Sequence, residues 1–280
     1  MKLTYKSAGG IVEMGGGTHP LINIIQMSGF GIPVKEYETV SFASENGVTN
    51  IGEKDLPRTI TITGDLIGGQ LEIMKALKAF YYKGELYCDF GKIRRKIACK
   101  CTNIEDIERH RNCGINSFTV QFQCDYPYFS DWNDTVQSLA EYRNLVTDTF
   151  ELPCVFTQML QEGTAYNNGD KYIYPTIKIS ASYDNTIDDA VISVINHTTG
   201  AEIKINHTMK NGEIVILNLA TRQIESNIDG KITMHISDDT VLSDFYLQVG
   251  ENRLSFSTSD TKQPLTAEII YNKNYLMAVR

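Results

Sequence analysis

The side chains of this 280-residue chain with the right types for catalysis or metal binding are six cysteines, five histidines and two adjacent aspartate pairs. The cysteines stand at 88, 99, 101, 113, 124 and 154. None forms a CxxC pair, and no histidine lies at zinc-finger spacing from one. In KIACKC, Cys99 and Cys101 are two apart, so in a strand both share a face with Ile97 and read as small core residues. A disulfide framework would be unusual in a chain this long from a reducing compartment. The histidines are scattered at 19, 110, 197, 207 and 235. His197 and His207 each sit in an NHT string, expected at turns or strand ends; as glycosylation sequons these strings are empty without secretion. Asp188-Asp189 and Asp238-Asp239 are adjacent pairs. Neighbours in a strand point to opposite faces, so neither pair is a ready acid/base dyad. Lys92, Arg94, Arg95, Lys96 and Lys100 cluster in sequence, but a strand would split them between faces; a solvated strand or loop is expected rather than a phosphate site.

Larger constellations are missing too. The chain holds no GxSxG elbow, no GxxxxGK[ST], no HExxH and no GxGxxG. Gly15-Gly16-Gly17 lacks the strand-then-helix context of a phosphate cradle. The expectation is no catalytic residue, no cofactor and no metal. Net charge is -8. Residues 1–135 hold 15 basic against 16 acidic residues, and residues 136–280 hold 11 against 18. An acidic second half argues against a general nucleic-acid surface, which needs Lys and Arg for phosphates. No apolar run reaches the ~18 residues of a membrane span, and the N-terminus lacks the apolar core of a secretory signal. Synthesis in the cytoplasm, without membrane insertion, is expected.

The elements that would position these residues are mostly strands. Up to about Gly52 the chain is Gly-rich, with short apolar stretches LINII and ETVSF, and SENGVTNIGEKDLP reads as an exposed loop. RTITITGDL, residues 58–66, alternates as a half-buried strand. One segment breaks the pattern: in residues 68–84, Ile73, Met74, Leu77, Phe80 and Tyr81 fall on one helical face, predicting a helix packed on the core through that face. ELYCDF, RRKIACKCTNIE and NSFTVQFQCDYPYF resume alternation. From Asn167 onward short strands follow one another between turn signals such as Asn211-Gly212 and Asp229-Gly230; KITMHIS and FYLQVGEN are among those strands. The predicted fold class is mainly β: a β-sandwich or barrel-like N-terminal domain with one α-helix over 1–135, a linker region over 136–165, and a β-sandwich or jelly roll over 166–280.

In this order the chain resembles the distal tail protein family of long-tailed bacteriophages. The resemblance rests on SGFGIPVKEYETV, PRTITITGDL, the helix LEIMKALKAFYY and FTVQFQCDYPYF in the first half. In the second it rests on YNNGDKYIYPTIKIS, VINHTTGAEIKI, GEIVILN and DFYLQVGENRLSF, with AEIIYNKNYL at the end. It implies a structural virion component made in the host cytoplasm and placed at the tail tip or baseplate. N-terminal domains would form a hexameric ring around a channel, and the C-terminal domain would be a galectin-like sandwich projecting outward. Implied partners are copies of the same chain, the tail tube protein, the baseplate hub or tip protein, and tape-measure and receptor-binding proteins. DNA would pass through without specific binding. In some relatives the last strand packs back on the first domain, which AEIIYNKNYLMAVR could also do. The alternative function is a carbohydrate-binding module for host recognition. The one tryptophan, Trp132, stands near the domain boundary rather than in the sandwich, which weakens a sugar-stacking site there. The residues of a ring interface are not legible in the sequence.

Overall fold

The computed structural model of the chain describes residues 1–17, 21–43, 46–67, 70–105, 108–110, 115–144, 157–185, 188, 190–260 and 265–278. It divides into two compact units, Met1–Trp132 with Asn274–Arg280, and Asn133–Lys273. Among the described residues it is mostly strand.

The first unit contains β1 (Lys2–Ser7), β2 (Gly10–Met14), β3 (Ile22–Ser28), β4 (Lys35–Val40), β5 (Thr49–Asp55), β6 (Arg58–Ile67), α1 (Gln70–Tyr81), β7 (Gly84–Asp89), β8 (Arg94–Ile104), β9 (Glu108–His110), β10 (Ile115–Cys124) and β11 (Ser130–Asp131). One sheet runs β11-β8-β7-β1-β2-β3-β6-β10-β9, and β8 also pairs with β10. That second pairing closes the sheet on itself, so the unit is a small barrel with its apolar faces inward. Alternation explains the strands. In β6 the residues Arg58, Ile60, Ile62, Gly64 and Leu66 point in while the threonines between them do not. Tyr5, Phe80 and Phe122 meet at the centre, with ring centroids 4.9–5.6 Å apart. Cys88, Cys99 and Cys124 are buried here, as apolar filling.

Helix α1 packs on β1 and β2. Its close approach is set by Gly9, where a Cβ would lie 2.4 Å from the Lys78 carbonyl oxygen. The Ser7 hydroxyl donates to the Ala79 carbonyl at 2.6 Å, fixing the contact.

The last residues rejoin this unit. Phe129 and Tyr275 exchange backbone hydrogen bonds of 2.9 and 2.8 Å, and the Ala278 N–H donates to the Phe30 carbonyl at 3.0 Å. Buried Arg58 donates to the carbonyls of Gly29 (3.0 Å), Gly31 (2.8 Å) and Leu276 (2.7 Å).

The second unit contains β12 (Thr135–Asn144), β13 (Thr157–Leu160), β14 (Glu162–Asn167), β15 (Thr176–Ala181), β16 (Val191–Asn196), β17 (Ala201–Asn206), β18 (Ile214–Asn218), β19 (Gln223–Ser226), β20 (Gly230–Lys231), β21 (Gly250–Thr258) and β22 (Leu265–Tyr271). Two antiparallel sheets, β13-β12-β22-β15-β18-β19-β20 and β14-β21-β16-β17, supply one apolar cluster. Strand β22 buries Leu265, Ala267, Ile269 and Tyr271 on alternate positions. This is the predicted sandwich.

Four local expectations need correction. Residues 49–55, read as loop, form β5 and pair with β4. Gly52 and a register irregularity mask the period of two there. Part of the predicted linker is strand: β12 pairs with β22, and β14 with β21. KITMHIS supplies only one strand residue, Lys231, and then a short 3₁₀ turn over Thr233–His235. FYLQVGEN is strand only from Gly250 onward; before that Leu247 makes a single bridge to Ile173. Cys113, Cys154, His19 and Asp189 lie outside the described residues.

Candidate assembly surface

Among the described residues, the aspartates singled out for chemistry enter no cluster of metal-type ligands. Asp188, Asp238 and Asp239 are exposed. His197 and His207 follow directly on β16 and β17, at the strand ends expected of them. The His197 Nε2 lies 2.8 Å from the Ser255 hydroxyl.

The basic run is divided: Lys92, Arg94 and Arg95 line a shallow pocket that also holds Asp131, away from which Lys96 and Lys100 are paired with acids. Arg94 pairs with Asp89 at 3.1 Å, Lys96 with Glu85 at 3.6 Å and Lys100 with Asp125 at 2.9 Å. Arg95 is buried. Each acid neutralises the cation a phosphate would need. Trp132 donates its indole N–H to the Arg95 carbonyl at 2.9 Å and packs edge-on against Tyr87. It is a wall residue of the first unit.

A polar cluster the sequence did not reveal lies in the second unit. The fully buried Glu213 accepts from the Ser226 hydroxyl at 2.5 Å, from His207 Nε2 at 2.7 Å and from the Lys210 N–H at 2.8 Å. Burial alone would push its carboxyl up; the hydrogen bonds outweigh it and hold the pKa below the ordinary value. Ligand atoms of His207, Glu213 and Asp229 lie within 4.8 Å of one another, a donor set a divalent metal accepts. Both Asp229 oxygens, however, already receive the Lys210 ammonium, at 2.7 and 2.9 Å. The protein's own cation closes the cluster, which ties two turns together. Residues 207, 213 and 229 share no motif spacing, so only folding could reveal it.

The first unit instead shows unpaired apolar surface. The β4–β5 ribbon buries none of its residues. Tyr37 and Ile51 are exposed along it, with Phe42 and Val48 just beyond the facing strand ends and Ile32 and Val34 just before β4. Glu36, Tyr37, Glu38, Gly52, Glu53 and Lys54 line a shallow groove on it. Helix α1 has a second apolar face. Its core side is Ala76, Ala79 and Phe80, with Ile73 half-buried. Met74 and Tyr81, predicted to face the core, are 67% and 83% exposed, and Leu71 is 68% exposed beside them. Large apolar side chains left in water at this density mark interaction surfaces.

Residues 168–275 match the family model described as siphovirus-type tail component, C-terminal domain. Over this stretch the chain is similar to that family's domain. The tail-component resemblance read from the sequence therefore holds. Solved structures share the fold over nearly the whole chain. The crystal structure of SPP1 Dit, described as a paradigm of the hub adsorption apparatus in phages infecting Gram-positive bacteria, has a TM-score of 0.65 at 11% identity, covering 96% of this chain and 98% of that one. A chain of the phage P2 baseplate in its activated conformation with Ca has a TM-score of 0.53 at 9% identity, covering 96% and 97%. The same baseplate with Sr gives 0.53 at 10%, covering 96% and 98%. None of the curated proteins compared matches the chain. Outside residues 168–275, then, the likeness to these structures is one of fold, at identities where only fold is kept.

Proposed function

We propose that this chain is a non-enzymatic structural component of a phage tail end, a distal tail protein at the tail tip or baseplate. The observation that carries this reading is the tail-component match over residues 168–275, on a chain whose fold follows SPP1 Dit nearly end to end. In this reading the first unit builds a closed ring of six copies joining the tail tube to the hub or tip protein, and DNA passes through the ring on ejection. In the same reading the second unit supports receptor-binding proteins. Apolar surface left open on the barrel unit supports assembly, and a first half without basic surplus, 15 basic against 16 acidic residues over 1–135, suits a conduit that must release DNA. A ring requires heterologous contacts that close after a fixed rotation. Native mass spectrometry of the full chain tests it. A closed homo-oligomer, six copies by this reading, is expected; a strict monomer at high concentration overturns it.

One observation favours a second reading, saccharide binding by the sandwich. Tyr172, Tyr174 and Tyr246 cluster with ring centroids 5.3–6.5 Å apart, and Tyr172 is exposed. Aromatic faces of this kind stack on sugars. Binding to purified cell-wall polysaccharide that disappears in Tyr172→Ala would support it; no binding across a glycan panel would exclude it.

A further inference from the structure

Two separate features of the first unit have the chemistry to be halves of one contact. The β4–β5 ribbon is a two-stranded sheet with neither strand burying a residue, and such a ribbon is marginal in water alone. It presents Tyr37 and Ile51, with Phe42 and Val48 exposed just beyond the facing strand ends. Residues 35–55 hold five acidic side chains against two basic ones; Lys35 and Lys54 pair with Glu53 and Glu36, which leaves an acidic surplus. The outward face of α1 presents Leu71, Met74 and Tyr81. Residues 70–83 hold three basic side chains, Lys75, Lys78 and Lys83, against the one acidic Glu72. All three lysines are exposed. The two surfaces are thus apolar at their centres and opposite in charge around them.

Opposite charges at the edge steer encounter and fix register, while the desolvated apolar centre supplies affinity. Two different patches that complement each other on one chain generate a head-to-tail contact, which propagates from copy to copy. An isologous dimer would instead need one self-complementary patch, and the acidic ribbon repels itself. We infer that the β4–β5 ribbon of one copy docks on the outward face of α1 of a second copy of this chain. This rests on the ring reading above and supplies the interface that reading lacks.

The test uses the full chain with two variants at exposed positions. One, Tyr37→Ser with Ile51→Ser, spoils the ribbon; the other, Leu71→Ser with Met74→Ser, spoils the helix face. Circular dichroism and melting check that each keeps the fold. Each alone should be monomeric, with association weakened at least tenfold. Mixed one to one, they should form dimers and nothing larger, because each pair retains one intact ribbon and one intact helix face. Should a variant fold poorly, charge reversal replaces it: Glu36→Lys with Glu38→Lys in one copy and Lys75→Glu with Lys78→Glu in the other, each defective alone and restored on mixing. If the wild type assembles and either variant assembles equally well alone, the inference fails while the ring stands. Monomers that do not dimerise on mixing also overturn it. A wild type monomeric at every concentration removes the ring reading itself.

Discussion

The guanidinium of Arg95 lies 3.0 Å from the ring centroid of Tyr275, so a residue of β8 is capped by one 180 positions later. Both side chains are buried. The Tyr275 hydroxyl completes the arrangement by donating to Asp131 Oδ2 at 3.1 Å. A desolvated cation over an aromatic face contributes about 2 kcal/mol, and the ring adds buried area. The end of the chain is therefore part of the barrel's structure.

Tyr275→Ala should destabilise the first unit by roughly 3–5 kcal/mol, the range for truncating a buried aromatic. Tyr275→Phe, losing only the hydroxyl contact to Asp131, should lose about 1 kcal/mol. Urea unfolding followed by the Trp132 fluorescence reports on this unit. Equal losses for the two variants would show that the ring does not pack as described.

Gly9→Ala should detach α1. The new methyl would stand 2.4 Å from the Lys78 carbonyl oxygen and 2.7 Å from a Tyr82 ring carbon, and the backbone oxygen cannot swing away. Overpacking of this kind takes about 1–3 kcal/mol. Amide exchange over residues 70–81 should accelerate in the variant while β15 and β22 keep their protection; unchanged exchange in the helix would refute the contact.

Acid should weaken the second unit through Glu213. Its folded pKa lies below the ordinary value of 4.5. Between those two values the unfolded chain binds more protons than the folded one, so stability rises with pH there. The contribution is complete above about pH 4.5 and is lost as pH falls through the folded value. Glu213→Gln should flatten that acid limb and lower stability at neutral pH by about 1–3 kcal/mol, since buried donors lose a charged acceptor. Denaturation curves across pH 3–7 decide it; an unchanged acid slope in the variant would sink the assignment.

Three barrel thiols should be inert. Burial pushes Cys88 up to about 12, and Cys99 is raised by its hydrogen bond to Cys124 and by burial. A thiolate is the reactive form, and the fully buried Cys124 sulfur is closed to reagent, so a small alkylating agent at pH 8 should leave Cys88, Cys99 and Cys124 unmodified until the protein unfolds. Peptide mapping after brief labelling reads the outcome. Rapid modification of Cys99 in the folded protein would contradict the packed barrel.

Alternation by itself fixed much of this protein. The inward run Arg58, Ile60, Ile62 and Leu66 is legible because a strand with one buried face must repeat every two residues. The same logic yields β15, β16, β17 and β22, and the absence of any spaced catalytic set follows from residue order alone. Tertiary structure decided what depends on distant partners. Residues 71–81 are apolar on two sides, and periodicity cannot say which side meets the core; contact with β1 and β2 chose Ala76, Ala79 and Phe80 and left Leu71, Met74 and Tyr81 outside. Barrel closure by β8 against β10, the Glu213 cluster and the Arg95–Tyr275 cap each join positions whose separation carries no period. A local pattern records which face of an element is apolar, whereas pairing and burial are settled by what the rest of the chain brings against it.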